Sequence, residues 1–91
     1  MRFFWKSEKN EALKQRKNEG RVSFEEIENA ILNGGIRAAF GNHSRYPGQV
    51  ILAVQVGSYI YAVPVSETKT GVFFWTAYPS RKLTKKYGGK P

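Results

Sequence analysis

This chain has no cysteine, no aspartate and a single histidine. Without cysteine there is no disulfide, no thiolate metal site and no sulfur nucleophile, a usage that suits a reducing cytoplasm. Without aspartate, a Ser-His-Asp arrangement lacks its third member. A metal site needs three or four donors and His43 has no obvious company, so neither metal nor cofactor is expected. Gly34-Gly35 lacks the spacing of a glycine-rich phosphate loop. No apolar run approaches the roughly 18–20 residues of a membrane span. The opening Met1-Arg2-Phe3-Phe4-Trp5-Lys6 does not read as a signal peptide, because no apolar stretch follows its charge. The expected setting is cytoplasmic, with no membrane partner.

Acidic residues are also scarce where they would balance charge. Residues 1–28 hold seven Lys/Arg and six Glu, whereas residues 29–91 hold eight Lys/Arg and only Glu67. The net charge of +8 is therefore carried almost wholly by the second part of the chain. Such a field favours a polyanion. The alternative is a charge that only keeps the protein soluble, but solubility does not require this segregation. The 91 residues suffice for one domain, 1–91, and not for two. With 41% hydrophobic and 14% aromatic residues the chain has ample material for a core, which excludes a disordered polyelectrolyte.

Arg2 to Trp5 reads as a short strand. Ser7 is placed to N-cap a helix over about residues 8–18, with Glu8 and Glu11 near the positive end of its dipole and Gly20 as its stop. Ser23-Phe24-Glu25-Glu26 is a capping box that starts a second helix through about Leu32, with Phe24, Ile27 and Ile31 on one apolar face. Asn33-Gly34-Gly35 ends it. Ile36 to Phe40 is a candidate strand. Gln49–Val56 and Tyr59–Val65 flank Gly57-Ser58, which predicts a hairpin with a type II′ turn. Pro64, lacking an N–H, is expected at a strand end or an edge. A further strand runs from Gly71 to Tyr78, and Ser80 caps a short basic helix from Arg81 to Tyr87. The fold class is α+β, with two N-terminal helices packed on an antiparallel β-meander and a short basic C-terminal helix.

What chemistry is left belongs to Lys, Arg, Tyr and one His acting on a phosphate. RNA carries its own nucleophile, the 2′-OH, so cleavage needs a base, an acid and cations for the phosphorane, and no metal. Histidine titrates in the right range, and Arg forks fit phosphate oxygens. The first candidate group is Arg81, Lys82, Lys85 and Lys86 with Tyr87; Arg81 and Lys85 share a helix face, as do Lys82 and Lys86. Its alternative role is a solvated helix end whose cations complement the dipole. The second is the loop holding His43, Arg45 and Tyr46, where a lone histidine is more often merely structural or exposed. The third is the aromatic set, most of it core, from which Trp5 and Tyr78 are the candidates for a wet, base-stacking face. Catalysis is thus assigned to Arg81, His43, Arg45, Tyr46 and Lys82, and RNA binding to Trp5, Tyr78, Lys85, Lys86 and Tyr87.

Several segments, taken in order, resemble a known family. Phe4-Trp5, Lys9-Asn10 and Val22-Ser23-Phe24-Glu25-Glu26 look like the opening of BrnT-type toxins. Tyr46-Pro47-Gly48-Gln49, Tyr61-Ala62-Val63-Pro64-Val65 and the closing run from Thr76 to Tyr87 extend the resemblance over nearly the whole chain. It implies a RelE/ParE-like fold and a type II toxin, a ribonuclease neutralised by a cognate, DNA-binding antitoxin. By motif position Arg81 and Lys82 match the basic residues after the last strand, and Trp5 and Lys9 match N-terminal positions, which adds Lys9 to the expected RNA-binding set. Two departures stand out. Lys6 occupies the place of an Asp, and Asn18-Glu19-Gly20 that of a Lys-His-Gly. If those groups carry the family's chemistry, activity here is reassigned, with His43 the candidate, or lost.

Three functions remain open on the sequence: a ribonuclease toxin acting on free or ribosome-associated mRNA, a non-catalytic RNA-binding module such as a double-stranded RNA-binding domain, and a toxin of the same fold directed at a protein such as gyrase.

Overall fold

A computed structural model describes residues 2–41 and 48–88. The chain opens with β1 (Arg2–Phe4), followed by α1 (Ser7–Gln15), a 3-10 turn (Lys17–Glu19) and α2 (Phe24–Leu32). Strands β2 (Ile36–Gly41), β3 (Gln49–Val56), β4 (Tyr59–Glu67), β5 (Gly71–Phe74) and β6 (Tyr78–Pro79) follow, and α3 (Arg81–Tyr87) closes the sequence of elements. The sheet order is β1-β5-β4-β3-β2, with β6 also paired to β4. This is an α+β fold with a mixed sheet.

The capping box forms as the sequence predicts. Ser23 accepts from the Glu26 amide at 3.2 Å and the Glu26 carboxylate accepts from the Ser23 amide at 2.9 Å. Phe24 and Ile27 are fully buried behind it. The hairpin also forms as predicted, with Val56 opposite Tyr59. Gly57 has φ of 64° and no non-glycine residue among those described has positive φ, the sign pattern of a type II′ turn. Ser80 caps α3, accepting from the Leu83 amide at 3.1 Å.

Other expectations need correction. Ser7 does not cap α1: Lys6 holds the cap position, without a side-chain hydrogen bond, and Ser7 is already helical. The helix ends at Gln15, and the chain tightens into the 3-10 turn before Gly20, at φ 80°, terminates it. The sheet is not purely antiparallel, because β1 lies parallel to β5, with Phe3 opposite Val72. No hairpin links these two strands, so turn geometry does not dictate their direction.

Pro64 lies neither at a strand end nor on an edge. It is buried in the middle of β4, opposite Ile51 of β3. Its missing donor is accommodated by a break in the next strand. The expected run from Gly71 to Tyr78 divides into β5, which pairs with Val65 to Glu67, and β6, which pairs with Tyr61 and Ala62. The Pro64 carbonyl accepts from the Trp75 amide at 2.9 Å, so the proline nitrogen, on the same side of the strand, faces the gap.

Strand alternation divides the sheet into two faces. Val54, Tyr61, Val63, Val65 and Phe74 pack with Leu13 of α1 and with Phe24 and Ile27 of α2 into one core. Phe3 and Trp5 complete its aromatic centre: the Trp5 ring stacks on Phe74 at 6.0 Å and 7°, and Phe24 meets Phe74 at 5.6 Å. The opposite face receives α3, pinned to β4 by two bonds. The Ile60 amide donates to Thr84 Oγ1 at 2.9 Å, and the Ser80 amide to the Ile60 carbonyl at 2.9 Å.

Candidate nucleic-acid interface

The site is built where α1, β6 and α3 meet. Two clefts lie side by side there, and Tyr78 lines both. The first, of about 410 Å³, is lined by Lys9 and Leu13 of α1, by Arg16 at its C-cap, by Arg21, and by Thr76 and Pro79. The second, of about 450 Å³, is lined by Phe40 and Ile51 at the far strands, Ala62 of β4, and Lys82, Leu83, Lys86 and Tyr87 of α3. Among the described residues, no acidic side chain lines either cleft.

Local structure explains these placements. In α1, Leu13 and Asn10 face inward, which turns Lys9, and Arg16 at the helix C-cap, along the cleft wall. Arg21 follows the left-handed Gly20 and reaches across the fold, donating to the Ala77 carbonyl at 3.2 Å. That bond ties the start of the α2 region to the gap between β5 and β6. In α3, Thr84 faces β4, and the i, i+4 pair Lys82 and Lys86 borders the second cleft. Lys86 Nζ lies 5.4 Å from the Tyr87 ring.

Electrostatically the face is cationic with little compensation. The ion pairs among the described residues are Lys14 with Glu11 and Glu25, and Arg16 with Glu19. Of the cleft cations only Arg16 has such a partner. Charges that are exposed and unpaired lose little on meeting a phosphate, and each phosphate neutralised releases counterions.

Of the sequence-designated residues, Lys9, Tyr78, Lys82, Lys86 and Tyr87 come together at the two clefts. Arg81 and Lys85 lie exposed on α3 and line neither cleft. Trp5 belongs to the aromatic core rather than to this face, stacked on Phe74 and tilted against Phe24. His43, Arg45 and Tyr46 lie outside the described residues. β2 ends at Gly41 and β3 begins at Gln49, and Phe40 pairs with Ile51 at that end of the sheet.

No protein-family description, curated protein or solved structure matches this chain.

Sequence reasoning did not place Arg21, Arg16, Phe40 or Leu83 in the site. Arg21 offered one signal, a cation between a helix-terminating glycine and a capping box. Its partner lies 56 residues away in sequence, and no local pattern encodes that distance. Also missed was Asn10, 4% exposed, which holds α1 against α2. Its Oδ1 accepts from the Phe24 amide at 2.8 Å and its Nδ2 donates to Glu25 at 2.8 Å. That bond, chiefly, holds the Glu25 carboxyl below the usual glutamate range. Tyr61, whose hydroxyl donates to the Gly20 carbonyl at 2.8 Å, has its pKa raised mainly by burial.

Proposed function

We propose that this protein binds RNA across the paired clefts and is an endoribonuclease of the BrnT-like, RelE/ParE-fold toxin kind, held in check by a cognate antitoxin. The observation that carries the RNA reading is the shared lining of the clefts. Five cations, Lys9, Arg16, Arg21, Lys82 and Lys86, border an exposed tyrosine, with no carboxylate among them. Lysine and arginine at such a surface bind phosphates, and an exposed aromatic ring offers a stacking partner for a base. The net charge of +8 adds long-range attraction for the same ligand.

Cleavage would use the 2′-OH of the RNA as nucleophile. In this assignment Lys82 and Lys86 stabilise the phosphorane, and His43 is the candidate for proton transfer. Arg81, first in the sequence argument, becomes secondary because it borders neither cleft.

Inducing the chain alone in a bacterial host, with growth and RNA 5′ ends followed, tests this. The expected result is arrest with new RNA ends, abolished in the Lys82→Ala/Lys86→Ala double variant and retained in Arg81→Ala. Arrest with intact RNA would instead favour a protein target. Normal growth, with RNA bound but uncut, would leave a binding module.

A further inference from the structure

The described aromatic residues fall into two groups. Ten have a ring or cation partner within the fold. Phe3, Trp5, Phe24 and Phe74 pack on one another, Tyr59 meets Tyr61, and Phe73 meets Trp75. Arg2 lies over Phe4 and Lys86 over Tyr87. Only two described aromatic side chains, Phe40 and Tyr78, have no such partner, and both are exposed, at 37% and 38%. These two line the same cleft.

That cleft is chemically unlike its neighbour. Its remaining wall is Ile51, Ala62 and Leu83 with Ser80 and Tyr87, the latter ring already engaged by Lys86, so apolar atoms dominate between the two unpartnered rings, and the lysines 82 and 86 border it. Among the described residues, the first cleft holds the cations Lys9, Arg16 and Arg21 and no aromatic ring except the shared Tyr78. An apolar, aromatic cleft suits the flat face of a base, and a cationic cleft suits its backbone.

We infer that the ligand of this interface is single-stranded RNA. One unpaired base enters the Phe40–Tyr78–Leu83 cleft, and the adjoining phosphates run over Tyr78 to Lys9, Arg16 and Arg21. A duplex cannot bind in this way, because its bases are stacked and their faces hidden. Tyr78 is the specificity-determining residue: it separates the base site from the phosphate track and belongs to both. The inference rests on the RNA reading above and adds the strandedness of the substrate and the residues that select it.

The test is fluorescence anisotropy with a labelled 12-nucleotide RNA, 2′-O-methylated so that no 2′-OH is available for cleavage, alone and annealed to its complement. The full chain should bind the single strand more tightly than the duplex. Tyr78→Ala should weaken single-strand binding about tenfold or more, as loss of one stacked base does, and leave duplex binding unchanged. Tyr78→Phe, which keeps the ring, should bind like the parent. Phe40→Ala should repeat the Tyr78→Ala loss, which keeps the inference testable if Tyr78→Ala does not fold. Lys9→Ala should weaken both ligands and lower the salt dependence of binding by about one charge. Equal or tighter binding of the duplex, with Tyr78→Ala and Phe40→Ala unaffected, overturns the single-strand inference and leaves the RNA reading standing. No binding of either ligand at low salt overturns both.

Discussion

The two faces of this sheet use the same kind of side chain for opposite ends. On the face under α1 and α2, Phe3, Trp5, Phe24 and Phe74 interlock and no acidic or basic group joins them. On the face that carries α3, Phe40, Trp75 and Tyr78 remain substantially exposed, and lysines border the cleft that Phe40 and Tyr78 line. The difference follows from cover. Two nine-residue helices cap the first face, and one seven-residue helix crosses the second. Aromatic content alone therefore says little about function; what matters is whether another element seals the rings. The adjacent residues Phe73 and Phe74 make the point, since strand alternation sends them to different faces.

The sharpest way to break this comparison is to truncate one ring on each face. Phe74→Ala empties the centre of the core and should cost about 3–5 kcal/mol in urea denaturation. Trp75→Ala, 45% exposed and held by the bond from its indole N–H to Ser66 at 2.8 Å, should cost about 1 kcal/mol or less. Equal costs would mean that the second face is as sealed as the first.

A smaller effect sharpens how the first face is closed. Asn10 is the polar bridge that holds α1 to the start of α2. Asn10→Ala strips the Phe24 amide of its acceptor in a buried setting and should cost about 1–3 kcal/mol, read as a lower urea midpoint with unchanged slope. A change within about 0.5 kcal/mol would show that water replaces the bridge at no cost.

The smallest effect is a pH dependence from the same bridge. The folded-state pKa of Glu25 lies below its ordinary value, first because Asn10 donates to it, with nearby Lys14 also favouring the charge. Its contribution to stability is therefore present above the unfolded-state pKa of about 4.3 and is lost as pH falls through the lower folded-state value. Because this carboxylate is largely exposed, the contribution is small. Glu25→Gln should flatten that part of the acid unfolding profile, measured by circular dichroism from pH 6 downward. An unchanged profile would assign acid sensitivity to other carboxylates.

Legibility in the sequence followed the range of the interaction. The capping box at Ser23, the Gly57-Ser58 hairpin, the stop at Gly34 and the Ser80-capped helix were readable because each is closed within a few residues. The position of Pro64 was not. Its tolerance depends on the break between β5 and β6, which exists only once three strands are assembled. Trp5 misled for the same reason: a ring at a strand end reads as exposed until Phe24 and Phe74 close around it. In the site, the cations of α3 were visible as a cluster, but which of them border a cleft was not. Helix rotation against β4, fixed by Thr84 and Ile60, sets Lys82 and Lys86 toward the cleft and leaves Arg81 and Lys85 out of its lining.

By itself the sequence determined the α+β class, most element boundaries and the positive charge, because propensity, capping and composition are local or additive properties. Only the tertiary structure decided which aromatic rings are sealed and which are available. It alone brought Lys9, Arg21, Tyr78 and Lys86 to one surface. The physical reason is that burial and juxtaposition depend on contacts between residues far apart in the chain, and no short window of sequence contains both partners.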